Sequence, residues 1–259
     1  MAIHTSDQGT GLPVVLLHAF ANDGALWAPQ IEAFRAQYRI IAPDLRGFGR
    51  SMATDGSAVS MDRYADDVID LMDQLQIERA VAGGISLGGY VAMSLALRYP
   101  QRLCGLVLAN TRAGADNPEW AGFREALVRD IEARGGLAVA ENYGDKPFRN
   151  ACPEDIKQAV RGMILRQSAT GLASGTRGMA QRPDRLAALE TIRVPTLVIS
   201  GAEDNYIASS EGEAIHRAIR GSRFVDIPHA GHLSNIDSAQ AFNAALGEFL
   251  ASISPGQAK

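Results

Sequence analysis

The sequence predicts an α/β fold, with a mostly parallel sheet flanked by helices and an inserted helical cap. Apolar, β-branched runs of strand length alternate with segments of helical spacing along most of the 259 residues. Such alternation is typical of parallel strands joined by crossover helices. The strand signals stop between Thr111 and about Ala187 and resume afterwards, which predicts an insertion between two core strands.

Six strands are expected, near residues 14–18, 38–42, 79–83, 103–109, 195–200 and 223–227. Five core helices are expected, near residues 25–36, 60–75, 87–98, 209–219 and 238–251. Within the gap, residues 120–133 and 153–166 also have helical spacing. We therefore predict a core of residues 1–111 and 188–259 and a helical cap of residues 112–187. Such a cap would cover a pocket and exclude water from it.

The composition excludes several classes of protein. Hydrophobic residues make up 46% of the chain, enough for a large core, and nothing in its net charge of −4 suggests nucleic acid or an anionic membrane as a partner. No stretch approaches the roughly 18 apolar residues of a membrane span. Residues 1–7 lack the basic and apolar regions of a signal peptide, and Cys104 and Cys152 make no disulfide framework. We expect a soluble cytoplasmic protein.

Residues 84–88 read GISLG and have the GxSxG spacing of a nucleophile elbow. A predicted strand ends just before them, and an apolar helical stretch follows at 90–97. In such a turn the serine adopts strained backbone angles, and side chains two residues away on either side would collide. The turn also places the hydroxyl over the N-terminus of the next helix, where amides favour a developing anion. We predict that Ser86 is a nucleophile.

A serine nucleophile needs a general base, and after an elbow of this kind the acid and then the histidine follow along the chain. Three histidines follow Ser86, and His216 is expected at the surface of an amphipathic helix. His232 is the predicted base, because Gly231 lets its loop return a side chain across the sheet. His229 directly follows a proline and is expected to be structural. As a metal site these two histidines are weak, since no third ligand is near.

The acid that orients the histidine is expected after a strand that ends near the nucleophile. Residues 194–201 form such a strand, and residues 202–205 form its exit loop. Glu203 and Asp204 both qualify, and the shorter Asp204 fits better. A carboxylate here would fix the tautomer of the imidazole and stabilise the imidazolium. Asp226 is nearer to the histidine in sequence, but inside a strand its side chain would point sideways.

Two backbone amides near the serine would complete the site as an oxyanion hole. One is predicted from Leu87, directly after the nucleophile, and the other from Phe20, in the loop after the first predicted strand. His18 precedes Ser86, against the expected order of the triad. It is therefore expected to hold this loop by hydrogen bonds.

Several segments together resemble the α/β-hydrolase fold superfamily along nearly the whole chain. They read LHAF at 17–20, PDLRGFGRS at 43–51, GISLGGYVAMSLALRYP at 84–100, LVISGAED at 197–204 and GHLSN at 231–235. Within the superfamily, the LHAF, GISLGGY and GHLSN segments most resemble bacterial 3-oxoadipate enol-lactonases and related small carboxylesterases. The resemblance implies a serine hydrolase that cleaves a small carboxylic ester or lactone through an acyl-enzyme.

The resemblance also sets two expectations about differences. Epoxide hydrolases and haloalkane dehalogenases share the fold but use an aspartate where this chain has Ser86, so they are disfavoured. Members of the superfamily usually open with two strands before the oxyanion loop. Only 13 residues precede Val14, so a missing strand or a truncated start is expected.

The substrate pocket is expected to include Trp27, Trp120 and Arg112, although core packing explains aromatic residues equally well. Residues 112–187 carry 12 Lys and Arg against 10 Asp and Glu, a net charge of +2, and the remainder carries −6. A basic cap favours a carboxylate-bearing ester. The preference is only slight, because surface charges are screened within about 8 Å at physiological salt. Arg112 is the cap arginine expected to face the pocket; a solvated surface arginine is the alternative.

Two other functions use the same residues. A ligand-binding receptor could retain the triad and turn over very slowly, and a lyase or C–C hydrolase could use it as acid and base. Esters are favoured over amides, because an amine leaving group needs stronger protonation. No organic cofactor is expected, since the chain has no GxxxxGK[ST] phosphate loop and the glycines around Ser86 lack the spacing of a dinucleotide site. The expected partner is a small-molecule substrate.

Overall fold

The centre of the computed structural model, which describes residues 3–253, is a seven-stranded sheet. The strands are β1 (Thr5–Gln8), β2 (Pro13–Leu17), β3 (Arg39–Pro43), β4 (Ala80–Ile85), β5 (Leu103–Ala109), β6 (Thr196–Gly201) and β7 (Arg223–Ile227). Their order across the sheet is β1-β3-β2-β4-β5-β6-β7. β1 is antiparallel to β3, and the other neighbouring pairs are parallel. This confirms the predicted α/β class and the six predicted strands.

The central strands are buried on both faces. Each residue of β4, β5 and β6 is buried, and the apolar sequence of β5, LCGLVLA, includes Cys104. Such continuous apolar strands are typical of parallel sheets with helices on both sides. The register pairs Val14 of β2 with Val81 of β4, and Val81 with Gly105 of β5.

Ten α-helices lie in the described part of the chain. They are α1 (Ala28–Phe34), α2 (Met61–Gln74), α3 (Leu87–Arg98), α4 (Pro118–Arg134), α5 (Gly136–Tyr143), α6 (Glu154–Leu165), α7 (Ala169–Ala180), α8 (Ser209–Ala218), α9 (Ser234–Asp237) and α10 (Ala239–Ser252). Short 3₁₀ turns occupy Gly24–Trp27, Pro100–Arg102 and Ala187–Thr191. Within residues 3–253, no helix combines the length and the apolar composition that a membrane span requires.

The segment between β5 and β6, called the insertion below, contains α4 to α7. Helical spacing predicted α4 and α6 but not α5 or α7. Helix α7 contains three glycines, which lower helix propensity and hide the pattern. Two of them allow close packing: an added Cβ on Gly171 would lie 1.8 Å from the Gly47 oxygen, and one on Gly178 would lie 1.8 Å from the Val59 oxygen. Packing against the 47–59 loop therefore stabilises a helix that propensity disfavours.

The expectation of a missing strand was wrong, because β1 and β2 both precede the oxyanion loop. β1 was not predicted from sequence. Its four residues, TSDQ, are half-buried or exposed and lie at the sheet edge, where pairing with β3 alone defines the strand. An edge strand of this kind lacks the apolar pattern on which prediction from sequence depends.

Strand order places a binding edge near the centre of the sheet. From β2 the chain crosses to β3 on one side and then returns to β4 on the other side of β2. In open α/β sheets, ligands bind outside the carboxyl ends of the strands at such a switch point. The loop after β2 and the turn after β4 meet here.

Candidate active site

Ser86 lies in the turn between β4 and α3 with φ 55° and ψ −113°. For a residue with a side chain, this region costs about 1–3 kcal/mol, and the conformation persists only where the surroundings hold it. Its amide donates to the Ala109 carbonyl at 3.0 Å, and the Thr111 hydroxyl donates to its carbonyl at 3.0 Å. Neighbouring strand β5 and the residues after it therefore hold the turn.

The glycines on either side of Ser86 allow backbones to approach closely. An added Cβ on Gly84 would lie 2.1 Å from the Gly88 carbonyl carbon. An added Cβ on Gly88 would lie 2.0 Å from the Leu17 oxygen in β2. These distances agree with the predicted collision two residues away from the serine.

His232 and Asp204 form a hydrogen-bonded pair. His232 Nδ1 lies 2.8 Å from Asp204 Oδ2, and the two side chains are 10% and 0% exposed. The other oxygen, Oδ1, accepts the amides of Tyr206 at 2.8 Å and Ile207 at 2.9 Å. Burial alone would raise the pKa of the Asp204 carboxyl, but the charge of His232 and these hydrogen bonds hold it below its ordinary value. A negative charge is thus fixed beside the imidazole.

The other candidates for the acid and the base lie away from the cavity that contains Ser86. Glu203 accepts the Asn150 amide at 2.9 Å and pairs with His229, whose side chain is 85% exposed. Asp226 lies in β7 and accepts from the Ser209 hydroxyl. His216 is half-buried and lies 2.8 Å from the Ser222 hydroxyl. None of these four side chains lines the cavity that contains Ser86.

The amides of Phe20 and Leu87 lie at the two loops expected to form an oxyanion hole. Leu87 begins α3, so its amide has no acceptor within the helix. In the described part of the chain, no hydrogen bond leaves the Phe20 amide. His18 holds this loop: Nδ1 donates to the Ala19 oxygen at 2.7 Å, and Nε2 accepts the Leu45 amide at 2.9 Å. Burial lowers the pKa of His18, which agrees with a neutral ring.

A cavity beneath the insertion brings five of the sequence-predicted residues together. The sheet side contributes Ser86, His232 and Phe20, and the insertion contributes Arg112 and Trp120. Its other lining is mainly apolar and includes Pro147, Val160, Ile164, Met179, Ile207 and Leu233. In residues 3–253, Ser86 Oγ makes no hydrogen bond with His232. Without substrate such contacts are often long and tighten only in the complex.

Comparison with known proteins identifies the family. A protein-family sequence model described as alpha/beta hydrolase fold matches residues 13–239. The chain belongs to the α/β-hydrolase family. A 3-oxoadipate enol-lactonase of Acinetobacter baylyi is 31% identical over 245 residues, which cover 93% of this chain and 90% of that protein. This confirms the resemblance inferred from the sequence motifs.

Solved structures agree with this assignment. The malate-bound thermophilic esterase of Thermogutta terrifontis matches with a TM-score of 0.92 and 36% identity, over 97% of this chain and 93% of that one. The enol-lactonase of Burkholderia xenovorans matches with a TM-score of 0.88 and 29% identity, over 96% of each chain. This α/β hydrolase is therefore an enzyme of a hydrolytic family.

The prediction that Trp27 lines the substrate pocket of the hydrolase was wrong. Trp27 is 1% exposed and does not line the cavity. Its ring packs against Phe242 at a centroid distance of 5.9 Å. The 3₁₀ turn that contains Trp27 leads into α1, and this directs the indole to the core between the sheet and α10. Residue type alone does not distinguish a pocket aromatic from a core aromatic.

Sequence reasoning missed Asn110, which joins the acid loop to the histidine loop. Its Nδ2 donates to Asp204 Oδ2 at 3.0 Å and to the Gly231 oxygen at 3.2 Å, and its Oδ1 accepts from the Ser234 hydroxyl at 2.6 Å. The signal was present: Asn110 is a polar residue directly after a wholly buried strand, at the edge where the site lies. Its positive φ of 44° also suits asparagine.

Asp237 was also missed, and it supports the histidine loop from below. Its Oδ2 accepts the amides of Gly231 at 3.0 Å and Arg149 at 2.9 Å. Burial raises the pKa of this carboxyl. Asp237 therefore joins the loop that carries His232 to the insertion.

Proposed function

We propose that this α/β hydrolase cleaves a small carboxylic ester or lactone through an acyl-enzyme. Ser86 is the nucleophile, His232 the general base, and Asp204 the acid that orients it. The amides of Phe20 and Leu87 stabilise the oxyanion. The observation that carries the proposal is the Asp204–His232 hydrogen bond of 2.8 Å, beside the cavity that also contains Ser86 on its strained turn.

Each residue would act in a way that its contacts support. Asp204, charged and fully buried, would hold the proton on Nδ1, so that Nε2 has a free lone pair. His232 would then accept the Ser86 proton as Oγ attacks the carbonyl carbon. The C–O bond of the leaving alcohol would break as His232 returns that proton to its oxygen. Water would repeat the sequence and release the acid from Ser86.

The relatives support esters and lactones as the substrate class. They include proteins named as enol-lactonases and as an esterase. The mainly apolar lining of the cavity suits a small organic substrate. Aromatic side chains surround the predicted base, because Tyr206 packs on the His232 ring at 5.4 Å and on Tyr143 at 5.3 Å. Substrates are therefore expected to be small enough to fit beneath the insertion.

A hydrolysis screen with hydroxylamine as a competing nucleophile tests this function. Aryl esters, aliphatic esters and lactones are offered to the wild type and to Ser86→Ala, with product and hydroxamate measured together. We expect hydrolysis that partitions to hydroxamate, and a loss of about a million-fold in kcat for Ser86→Ala. Surface Ser57→Ala is the control and should leave kcat unchanged.

Other outcomes distinguish the competing functions. A burst of one equivalent of product followed by near silence would indicate a receptor that binds its ligand covalently. Turnover without any hydroxamate would exclude the acyl-enzyme and favour acid–base chemistry of the lyase kind. Either result would overturn the proposal.

A further inference from the structure

A buried carboxylate in the insertion holds three arginines. Asp116, whose side chain is 2% exposed, pairs with Arg112, Arg124 and Arg182. Those arginine side chains are 13%, 8% and 3% exposed. Within residues 3–253 they form no ion pair with another carboxylate. One negative charge therefore faces three positive charges in a place that bulk water reaches poorly.

The three arginines are not equivalent. Arg182 donates to the carbonyl oxygens of Met179 at 2.8 Å and Gly114 at 3.0 Å, and it does not line the cavity. Arg112 and Arg124 both line the cavity that contains Ser86 and His232. Of the two, Arg112 has a buried Nε without a hydrogen-bond partner in the described residues. These two arginines are thus the ones available to a substrate.

Trp120 and Asp116 fix the positions of these two guanidinium groups. The Arg112 and Arg124 Cζ atoms lie 5.3 Å and 5.9 Å from the Trp120 ring centroid, within the range of cation–π contacts. Burial alone would raise the pKa of the Asp116 carboxyl, but the hydrogen bonds and charges of Arg124 and Arg182 lower it. The carboxylate is therefore ionised at neutral pH, yet it balances only one of the three cations.

The cavity supplies no further negative charge. Among the described residues that line it, none is Asp or Glu, and the insertion side also contributes the apolar Val160, Ile164 and Met179 and the ring of Tyr143. Buried charges that one counter-ion balances only in part are costly, and in apolar surroundings their attraction for an opposite charge is strong. An anion that enters the cavity would be attracted to Arg112 and Arg124.

We propose that Arg112 and Arg124 bind a carboxylate on the substrate, separate from the carbonyl group that Ser86 attacks. This rests on the proposed function and specifies its substrate class as acidic esters or lactones. Guanidinium groups bind carboxylates through paired N–H donors.

Matched substrates and variants test the proposal. Monoethyl succinate, glutarate and adipate are each compared with a neutral ethyl ester of similar length, by titration of the acid released. We expect the wild type to prefer the acidic ester in kcat/KM by about 10- to 100-fold, the usual strength of a charge-assisted hydrogen bond. Arg112→Gln and Arg124→Gln should each remove most of that preference while retaining hydrolysis of the neutral ester.

Arg129→Gln is the matched control, since Arg129 is exposed on the same helix as Arg124 and lies outside the cavity. It removes the same charge and should keep the preference. The preference is the ratio of kcat/KM for the acidic ester to kcat/KM for the neutral ester. This ratio does not depend on the fraction of folded enzyme, so it can be measured even for a partly unfolded variant. A wild type without preference, or a preference that survives both cavity substitutions, would overturn the proposal.

Ligand binding separates this proposal from the proposed function. The free dicarboxylates and inorganic phosphate are titrated into Ser86→Ala, with and without Arg124→Gln or Arg129→Gln, and Tm is measured. A dicarboxylate should raise the Tm of Ser86→Ala and of the Arg129→Gln double variant, but not that of the Arg124→Gln double variant. This holds even if no ester is hydrolysed. A larger shift with phosphate than with any dicarboxylate, or equal shifts in all three proteins, would contradict it.

Discussion

The two sides of the cavity are built in different ways. On the sheet side, Ser86, Asp204 and His232 come from the segments that follow β4, β6 and β7. Backbone contacts fix them: Gly88 packs against Leu17, and the amides of residues 206 and 207 donate to the acid. On the insertion side, charged side chains hold one another around Asp116. The first arrangement suits chemistry common to a whole family, and the second suits the choice of one substrate.

The difference between the two sides of the cavity predicts different effects of substitutions. Changes on the sheet side should reduce the reaction with every substrate by the same factor. Changes on the insertion side should alter stability or the ranking of substrates and leave the chemistry in place. Paired substitutions of neighbouring, chemically similar residues test this difference.

The largest contrast is expected between two histidines of one loop. His232→Ala should lower kcat by about a million-fold with each substrate, because the proton of Ser86 loses its acceptor. His229 pairs with Glu203 at the surface, so His229→Ala should change kcat less than tenfold. Steady-state kinetics on a neutral and an acidic ester measure both. If His229→Ala were the inactive variant, the roles assigned to this loop would be reversed.

A smaller contrast is expected between two adjacent acids. Asp204→Asn should lower kcat by about 10⁴-fold, because the amide can hold the wrong tautomer of His232. Glu203→Gln removes a charge one residue away, which interacts with His229 and the Asn150 amide instead. It should leave kcat within about tenfold of the wild type. Equal losses for the two variants would mean that the charge of the loop matters and not the contact with His232.

The smallest effect concerns stability on the insertion side. Asp116→Asn leaves three buried arginines without their counter-ion and should lower the free energy of unfolding by about 3–5 kcal/mol at pH 7. Glu119→Gln, at an exposed position on α4, is the control and should cost less than about 0.5 kcal/mol. Denaturant unfolding followed by circular dichroism gives both values.

The pH dependence of that difference follows from the pKa of Asp116. Its folded-state pKa lies below the ordinary value of 3.8, so the ionised carboxylate stabilises the fold above pH 3.8. This stability is lost as the pH falls through the folded-state pKa, where the wild type also loses the charge. The gap between wild type and Asp116→Asn should therefore narrow on acidification. A gap that stays constant from pH 7 to pH 3 would show that Asp116 acts without its charge.

The two sides of the cavity also differ in how far sequence predicts them. The elbow at Ser86 could be predicted because its sequence constraints lie within five residues. The order of residues along the chain and the positions of the strand ends predicted Asp204 as the acid and His232 as the base. The arginine cluster could be predicted from sequence only in part. Arg112 was expected to face the pocket, but Asp116, Arg124 and Arg182 meet through the packing of α4 and α7, which no local pattern specifies.

The remaining errors have similar physical origins. β1 is a short polar edge strand that exists through its pairing with β3, and the glycines of α7 are tolerated because that helix packs closely on a loop. Trp27 was assigned to the pocket, although its ring lies in the core. In each case a contact between distant segments decides the structure.

The central claim is that Ser86 forms a covalent acyl intermediate, and labelling with an organophosphonate tests it most directly. Intact-mass spectrometry and peptide mapping are applied to the wild type, Ser86→Ala and the control Ser57→Ala. The account predicts one adduct per chain on Ser86 in the wild type and in Ser57→Ala, and none in Ser86→Ala. An adduct on another residue, or steady ester turnover by a protein that forms no adduct, would contradict it.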